Sequence, residues 1–298
     1  MPNKITSGVK KDMQKKINKT EREFIQEIRK RKLNPREISG LISKLQKIKP
    51  HKYPTKRIDF PDNHVKFAVF SDAHMGHRCY RPDILSKLIK DGTKQGVEFY
   101  LNVGDTIEGM SGRDGHIYEL DYIGATAQMD YFATQFQKFR NKNVYSIEAD
   151  SSHGGWFKSK GNAGLDIGTE LDKRSRRYKF IGYDEQDLKL DNGLKIRLRH
   201  PGGGTAYAIS YKAQKYIESI SGGKKPNMLF QGHFHKAMYF FYRNIHSFDA
   251  GCLQEQSPFM KKVGTPAHLG YWILDVNMFK QKNKGVERVD SQFVPFYE

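Results

Sequence analysis

Aspartate and histidine recur in this chain at one kind of place, just after a short apolar run. Residues 65–70 lead into Ser71-Asp72-Ala73-His74, residues 97–103 into Gly104-Asp105, and residues 144–147 into Glu148-Ala149-Asp150. Residues 194–198 lead into Arg199-His200-Pro201, and residues 228–230 into Gln231-Gly232-His233-Phe234-His235. Carboxylate supplies charge and imidazole a softer nitrogen, a mixture that suits borderline divalent ions such as Mn, Fe, Co, Ni or Zn. In Asp72/His74 and in His233/His235 the partners are two residues apart, which on extended backbone puts both side chains on one side. Each pair can then grip one site or two neighbouring ones. Asp105 stands alone at the end of its run, and a lone carboxylate with two oxygens can bridge two ions. A single Asp-x-His or Gly-Asp is a weak signal; Gly-His-x-His is moderately specific. Seven candidate ligands on successive run ends, Asp72, His74, Asp105, Asp150, His200, His233 and His235, are hard to obtain from unrelated structural needs.

The apolar runs must be the elements that hold these groups in place. They are short and continuous and read as buried strands, with residues 82–95 and 121–140 as helices between the first three. Later runs at 238–242 and 271–276 come with fewer intervening helices, so the second half is expected to be more antiparallel. The pattern implies a layered α/β domain with central sheet material covered by helices. In open α/β sheets ligands bind at the carboxyl ends of the strands, which is where the aspartates and histidines fall.

Asp72-x-His74, Gly104-Asp105-x-x-Glu108, a third strand end with a histidine, His200 and Gly232-His233-x-His235 together resemble the calcineurin-like metallophosphoesterase superfamily. The likeness runs from residue 66 to about 252, and Ser71-Asp72-Ala73-His74-Met75-Gly76 is similar to the first motif of the superfamily's DNA repair and recombination nucleases. The resemblance implies a four-layered α/β sandwich and hydrolysis of phosphate esters with two divalent ions, Mn²⁺ first and Fe, Zn or Ni as alternatives. One ion would be held by Asp72, His74, Asp105 and His235, the other by Asp105, a third-motif residue, His200 and His233. The third motif departs from the family's Gly-Asn-His-acid: here the stretch is Ala149-Asp150-Ser151-Ser152-His153-Gly154. Counting from the strand, Asp150 takes the ligand position, and it is favoured because carboxylate binds hard cations better than a hydroxyl does. The other reading has Ser152-His153 replace Asn-His directly. His153 would be the phosphate-contacting histidine and, with Asp105, one of the two residues expected to act in catalysis.

The bulk composition narrows the partner. The chain has 51 Lys+Arg against 33 Asp+Glu, a formal charge of +18, and residues 1–58 alone hold 18 Lys/Arg and 5 Asp/Glu. A basic arm on a nearly balanced body points to nucleic acid ahead of an anionic membrane surface. Within the arm, Thr20-Glu21-Arg22-Glu23 reads as a capping box. Apolar spacing on either side of Asn34-Pro35 predicts a helical hairpin, so the expected domains are 1–58 and 59–298. No apolar run approaches the roughly 18–20 residues of a membrane helix. Two cysteines imply no disulfide framework, and the expected compartment is the cytoplasm. Lys158, Gly203 and Tyr207 are the expected substrate contacts. Gly203 lies in a glycine turn whose free N–H groups could hold a phosphate. Tyr207 and Tyr211 could stack bases, although burial in the core is the more common fate of such rings. His77 and His116 read as polar loop residues. Three activities fit: a nucleic-acid phosphodiesterase or nuclease, a phosphatase on phosphoproteins or small phosphoesters, and a catalytically weak nucleic-acid-binding protein.

Overall fold

A computed structural model describes residues 54–159, 164–281 and 284–297, together with Lys30. The expected basic hairpin lies outside the described residues. Residues Tyr53–Glu298 form one compact unit. In chain order its elements are β1 (Lys56–Ile58), β2 (His64–Phe70), α1 (Pro82–Gln95), β3 (Phe99–Asn102), α2 (Ala125–Phe136), β4 (Val144–Glu148), the short α3 (Trp156–Ser159) and α4 (Ile167–Arg174). They continue as β5 (Tyr178–Tyr183), β6 (Glu185–Leu190), β7 (Lys195–Arg199), α5 (Tyr211–Ser219), β8 (Met228–Gln231), β9 (Ala237–Tyr242), β10 (Ile245–Ala250), α6 (Pro258–Val263), β11 (Gly270–Met278) and β12 (Val286–Pro295).

The local chemistry explains these bounds. In β2 every residue from Val65 to Phe70 except Lys66 is buried, as a strand covered on both faces requires. Helix α1 opens with proline in its first turn, buries Ile84, Leu85 and Leu88 on one stripe, and stops at Gly96, whose φ of 74° suits the left-handed cap. One sheet runs β12-β11-β2-β3-β4-β5 and the other β1-β6-β7-β8-β10-β9. In the first sheet β2 to β5 are parallel, β11 joins β2 antiparallel, and β12 pairs antiparallel with β11. The expected antiparallel second half is only partly realised. β9/β10 and β11/β12 are antiparallel, but β7, β8 and β10 lie parallel, with α5 crossing between β7 and β8.

The four layers follow from which faces are apolar. Phe67, Val69 and Leu101 of one sheet meet Leu198, Phe230 and Phe248 of the other between the sheets. Ile84 and Leu88 of α1, Phe132 of α2 and Leu171 of α4 cover the outer face of the first sheet. Ile217 of α5, with Ile220 after it, covers Leu229 and Ile245 on the second. This is the expected four-layered α/β sandwich. Residues that follow β2, β3, β4, β7 and β8 come together at the carboxyl ends of these strands. Among the described residues no helix is long and apolar enough to cross a membrane.

Candidate metal centre

The pairing of β2 with β3 continues past the strands into the loops that carry the polar residues. Asp72 N donates to Gly104 O at 3.1 Å, and His74 N donates to Asp105 O at 3.0 Å. His233 N donates to both oxygens of Asp72 at 3.0 Å, which ties the β8 loop of one sheet to the β2 loop of the other. Such close approach needs missing side chains. A Cβ on Gly104, whose φ is 102°, would overlap the His200 ring, and one on Gly232 would overlap Ser71 Oγ and lie 2.7 Å from Val103 O.

The result is a cluster of three overlapping groups: Asp72, His74 and His235; His74, Asp105 and His153; and Asp105, His200 and His233. Within each group the candidate ligand atoms all lie within 4.8 Å of one another. Six of the seven expected ligands thus come together. The seventh, Asp150, belongs to none of these groups; Lys158 Nζ donates to its Oδ1 at 2.6 Å. His153 stands in the cluster instead, with Nε2 3.5 Å from Asp105 Oδ2. The expectation of extended backbone at the ligand pairs is corrected too. Asp72, His74, Asp105, His153, His233 and His235 all have φ between 47° and 78°, in the left-handed region. Held there, non-glycine residues cost of order 1–3 kcal/mol each, and such strain concentrates at functional sites.

The hydrogen bonds fix which nitrogen each ring presents. His200 Nδ1 donates to Val103 O at 2.6 Å, so Nε2 faces Asp105 Oδ2 at 2.9 Å. His74 Nδ1 donates to Glu108 Oε2 at 2.8 Å, and its Nε2 comes within 3.1 Å of His235 Nε2. Two ligand atoms on one ion, each about 2.0–2.2 Å from it, lie about 3 Å apart. Asp105 Oδ1 is buried with no hydrogen-bond partner. A buried carboxylate oxygen left bare is costly, and a cation is the partner that its two flanking groups would share. The donor set therefore fits divalent ions: buried Asp and His groups here can hold metal, with second atoms oriented by carbonyl and carboxylate as ligating histidines usually are.

Electrostatics agree with that fit. Burial alone would raise the Asp105 carboxyl, but His153 and His200 hold it far below the usual carboxylate range. Burial would lower His200; facing Asp105, it is instead raised to about 9. His74 falls to about 4, through burial first and then the neighbouring His153. For His153 burial is outweighed by Asp105 and Glu108, which raise it.

Three residues matter more than their sequence context suggested. Glu108 is buried and joins three histidines: it accepts from His74, it accepts from His116 Nε2 at 2.8 Å, and its Oε2 lies 3.4 Å from His153 Nδ1. Its three-residue spacing from Asp105 was the available signal. His77 and His116 are not loop surface. Both are buried, they line the cleft, and His77 Nε2 meets Glu119 at 3.3 Å. Of the expected substrate contacts, Gly203 lines the cleft and its carbonyl accepts from His233 Nε2 at 2.7 Å. Lys158 is paired with Asp150. Tyr207 and Tyr211 do not pack in the core: the first is fully exposed and the second about half.

Fold and site together define a two-sheet α/β sandwich with an Asp/His metal-ligand cluster at its strand ends. No family model matches the chain, and no curated protein matches it in sequence. Solved structures are similar to it in part. An archaeal phosphodiesterase shares 13% identity over 77% of this chain and all of that one, at a TM-score of 0.41. Vacuolar protein sorting 29 from Cryptosporidium parvum shares 12% over 80% of this chain and all of that one, at 0.42. A zinc complex of Vps29 from Entamoeba histolytica shares 13% over 78% of this chain and all of that one, at 0.36. At such identities and scores the site itself has to carry any functional reading.

Proposed function

We propose that this protein hydrolyses phosphate esters with two divalent ions, Mn²⁺ first among them, held by the Asp/His cluster, and that its substrates are nucleic-acid phosphodiesters. One observation carries the reading: Asp105, shared by two ligand groups, has a buried oxygen with no protein partner. Asp72, His74, Asp105 and His235 would hold one ion, and Asp105, His200 and His233 the other. Divalent ions so placed supply positive charge for the phosphoryl oxygens and acidify an attacking water. His153 does the proton work. Its Nδ1 lies 3.4 Å from Glu108 Oε2, and Asp105 and Glu108 raise its pKa, which favours the protonated ring that a departing ester oxygen would need. The charge of +18 supports a polyanionic substrate.

A second reading, binding without turnover, is favoured by Asp150, whose pairing with Lys158 leaves the Asp105/His200/His233 group one side chain short. The test is an assay with Mn²⁺ on single-stranded DNA, duplex DNA, RNA, a phosphomonoester and bis-p-nitrophenyl phosphate. Diester cleavage that falls to background in Asp105→Asn supports the proposal. Monoesterase activity alone would make the protein a phosphatase. Salt-sensitive binding with no turnover would establish the second reading.

A further inference from the structure

The cleft beside the cluster has a volume of about 550 Å³, and its lining is of two kinds. One is the set of histidines of the cluster. The other is an apolar wall of Trp156, Phe234, Phe259, Met260 and Val263. Helix α6 builds much of that wall. Ser257 Oγ caps it by accepting from Met260 N, Met260 is buried as its anchor, and Phe259 and Val263 are left 50% and 55% exposed. Trp156 continues the wall toward the chemistry, its ring 4.7 Å from that of His153.

Charge decides what this wall can face. Apart from histidines, the charged lining residues are Arg113, Glu108 and Glu119. Arg113 is held by Glu119 at 2.9 Å and lies over the Phe259 ring at 5.6 Å. Around Phe259 the lining therefore offers no net positive charge to a second phosphate. It suits a flat, uncharged group with polar edges, for which Gln254 and Thr265 also line the cleft. Gly203, Gly204 and Thr205 also line the cleft, and the segment that follows them in the sequence carries the exposed rings of Tyr207 and Tyr211 with Lys212 and Lys215. Exposed rings beside cations are the usual platform for successive unpaired bases.

We propose that the cleft selects an unpaired nucleobase next to the phosphate under attack, so that single-stranded or flipped-out nucleotides are the substrates. A base held in a duplex stack cannot enter a pocket of this kind without leaving its partner. The proposal rests on the nucleic-acid reading above for the class of substrate, but on different residues.

The experiment uses the full chain with Mn²⁺. It compares a single-stranded oligonucleotide, the same strand with an abasic residue at the cleaved position, the annealed duplex, and bis-p-nitrophenyl phosphate. The abasic change should raise KM by roughly tenfold, as loss of one stacked base does, with kcat little changed. Phe259→Ala should impose the same penalty on the intact strand and none on the abasic one. Equal KM for intact and abasic strands, or equally fast cleavage of duplex, would overturn the inference. If bis-p-nitrophenyl phosphate were still hydrolysed in that case, the phosphoesterase reading would stand alone. A binding measurement covers the case of no turnover. The chain has two tryptophans, and Trp272 is buried between the sheets. Fluorescence quenching by AMP therefore reports on Trp156. Saturable quenching by AMP but not by ribose 5-phosphate, lost in Trp156→Phe, supports a base pocket even in an inactive enzyme; no quenching by AMP refutes it.

Discussion

Asp150 and His153 show what a sequence can and cannot say about single residues. Counting from β4 puts Asp150 at the expected ligand position, and carboxylate chemistry favours it. The backbone places it outside the candidate groups. Asp150 N donates to Asp184 Oδ1 at 2.9 Å, and the turn that follows folds so tightly that a Cβ on Gly155 would lie 2.6 Å from Asp150 O. That turn brings His153 toward Asp105, while Lys158 takes the Asp150 carboxylate. Neither contact has a spacing rule that a reader of the sequence could apply. The clustering of the other six candidates was legible because each follows closely on a strand whose apolar run marks its end. Asp150→Ala should accordingly leave metal content, read by elemental analysis, unchanged. His153→Ala should keep most of the metal and lower turnover by about 10²–10⁴-fold, the usual contribution of a positioned proton donor. Loss of metal from Asp150→Ala would restore it as a ligand.

At the level of elements, legibility followed burial. Helix α1 was readable to the residue from its apolar stripe, and β2, β3, β4 and β8 from continuous apolar runs. Strands β6 and β12 were not. β6 is Glu-Gln-Asp-Leu-Lys-Leu, and β12 is a charged edge strand containing Glu287, Arg288 and Asp290. As an edge strand β12 is protected by its charges against stray pairing and loses its hydrophobic signature by the same means, whereas β6, between β1 and β7, buries only Gln186, Leu188 and Leu190. The junction of the two sheets makes a prediction of its own. In Gly232→Ala the new methyl would overlap Ser71 and press on Val103 and His200. The β8 loop must then move away from β3, which should weaken Mn²⁺ binding in calorimetry by tenfold or more while the circular dichroism of the sandwich persists. Unaltered affinity would mean that the junction does not set the site. Strand β10 carries a second test. Asp249 is buried, its Oδ2 has no partner, and burial pushes its carboxyl up from 3.8 to about 7. The folded state thus holds a proton that the unfolded chain releases near pH 4. The stability tied to this group is complete below about pH 4 and is lost as pH rises through about 7. Asp249→Asn should therefore have a melting temperature that gains on the wild type between pH 5 and 7 and keeps a constant lead above that. A difference independent of pH would show that this carboxyl does not titrate as its burial implies.

Across the whole molecule, the charge is divided between a nearly balanced body and a basic end. The α/β class and the strand-end position of the site could be read from the order of apolar runs, since a parallel sheet covered on both faces leaves few other arrangements for them. The boundary between arm and body could not, because Lys56–Ile58 looks like more of the basic arm. These residues instead form β1, pairing with β6 from Lys56↔Leu188 to Ile58↔Leu190. A deletion meant to remove the arm should for that reason stop at Lys52, sparing β1. Residues 1–52 carry 16 Lys/Arg and 5 Asp/Glu. If they contact the nucleic-acid backbone, each phosphate they neutralise contributes about −0.7 to the slope of log K against log salt on a single strand. The truncated chain should then bind single-stranded DNA more weakly, with a slope shallower by several such steps. Its hydrolysis of bis-p-nitrophenyl phosphate should stay at the full-length rate, because the cluster lies wholly within the body. An unchanged salt slope would assign the arm to some partner other than nucleic acid. A lost small-substrate activity would place the arm in the integrity of the body itself.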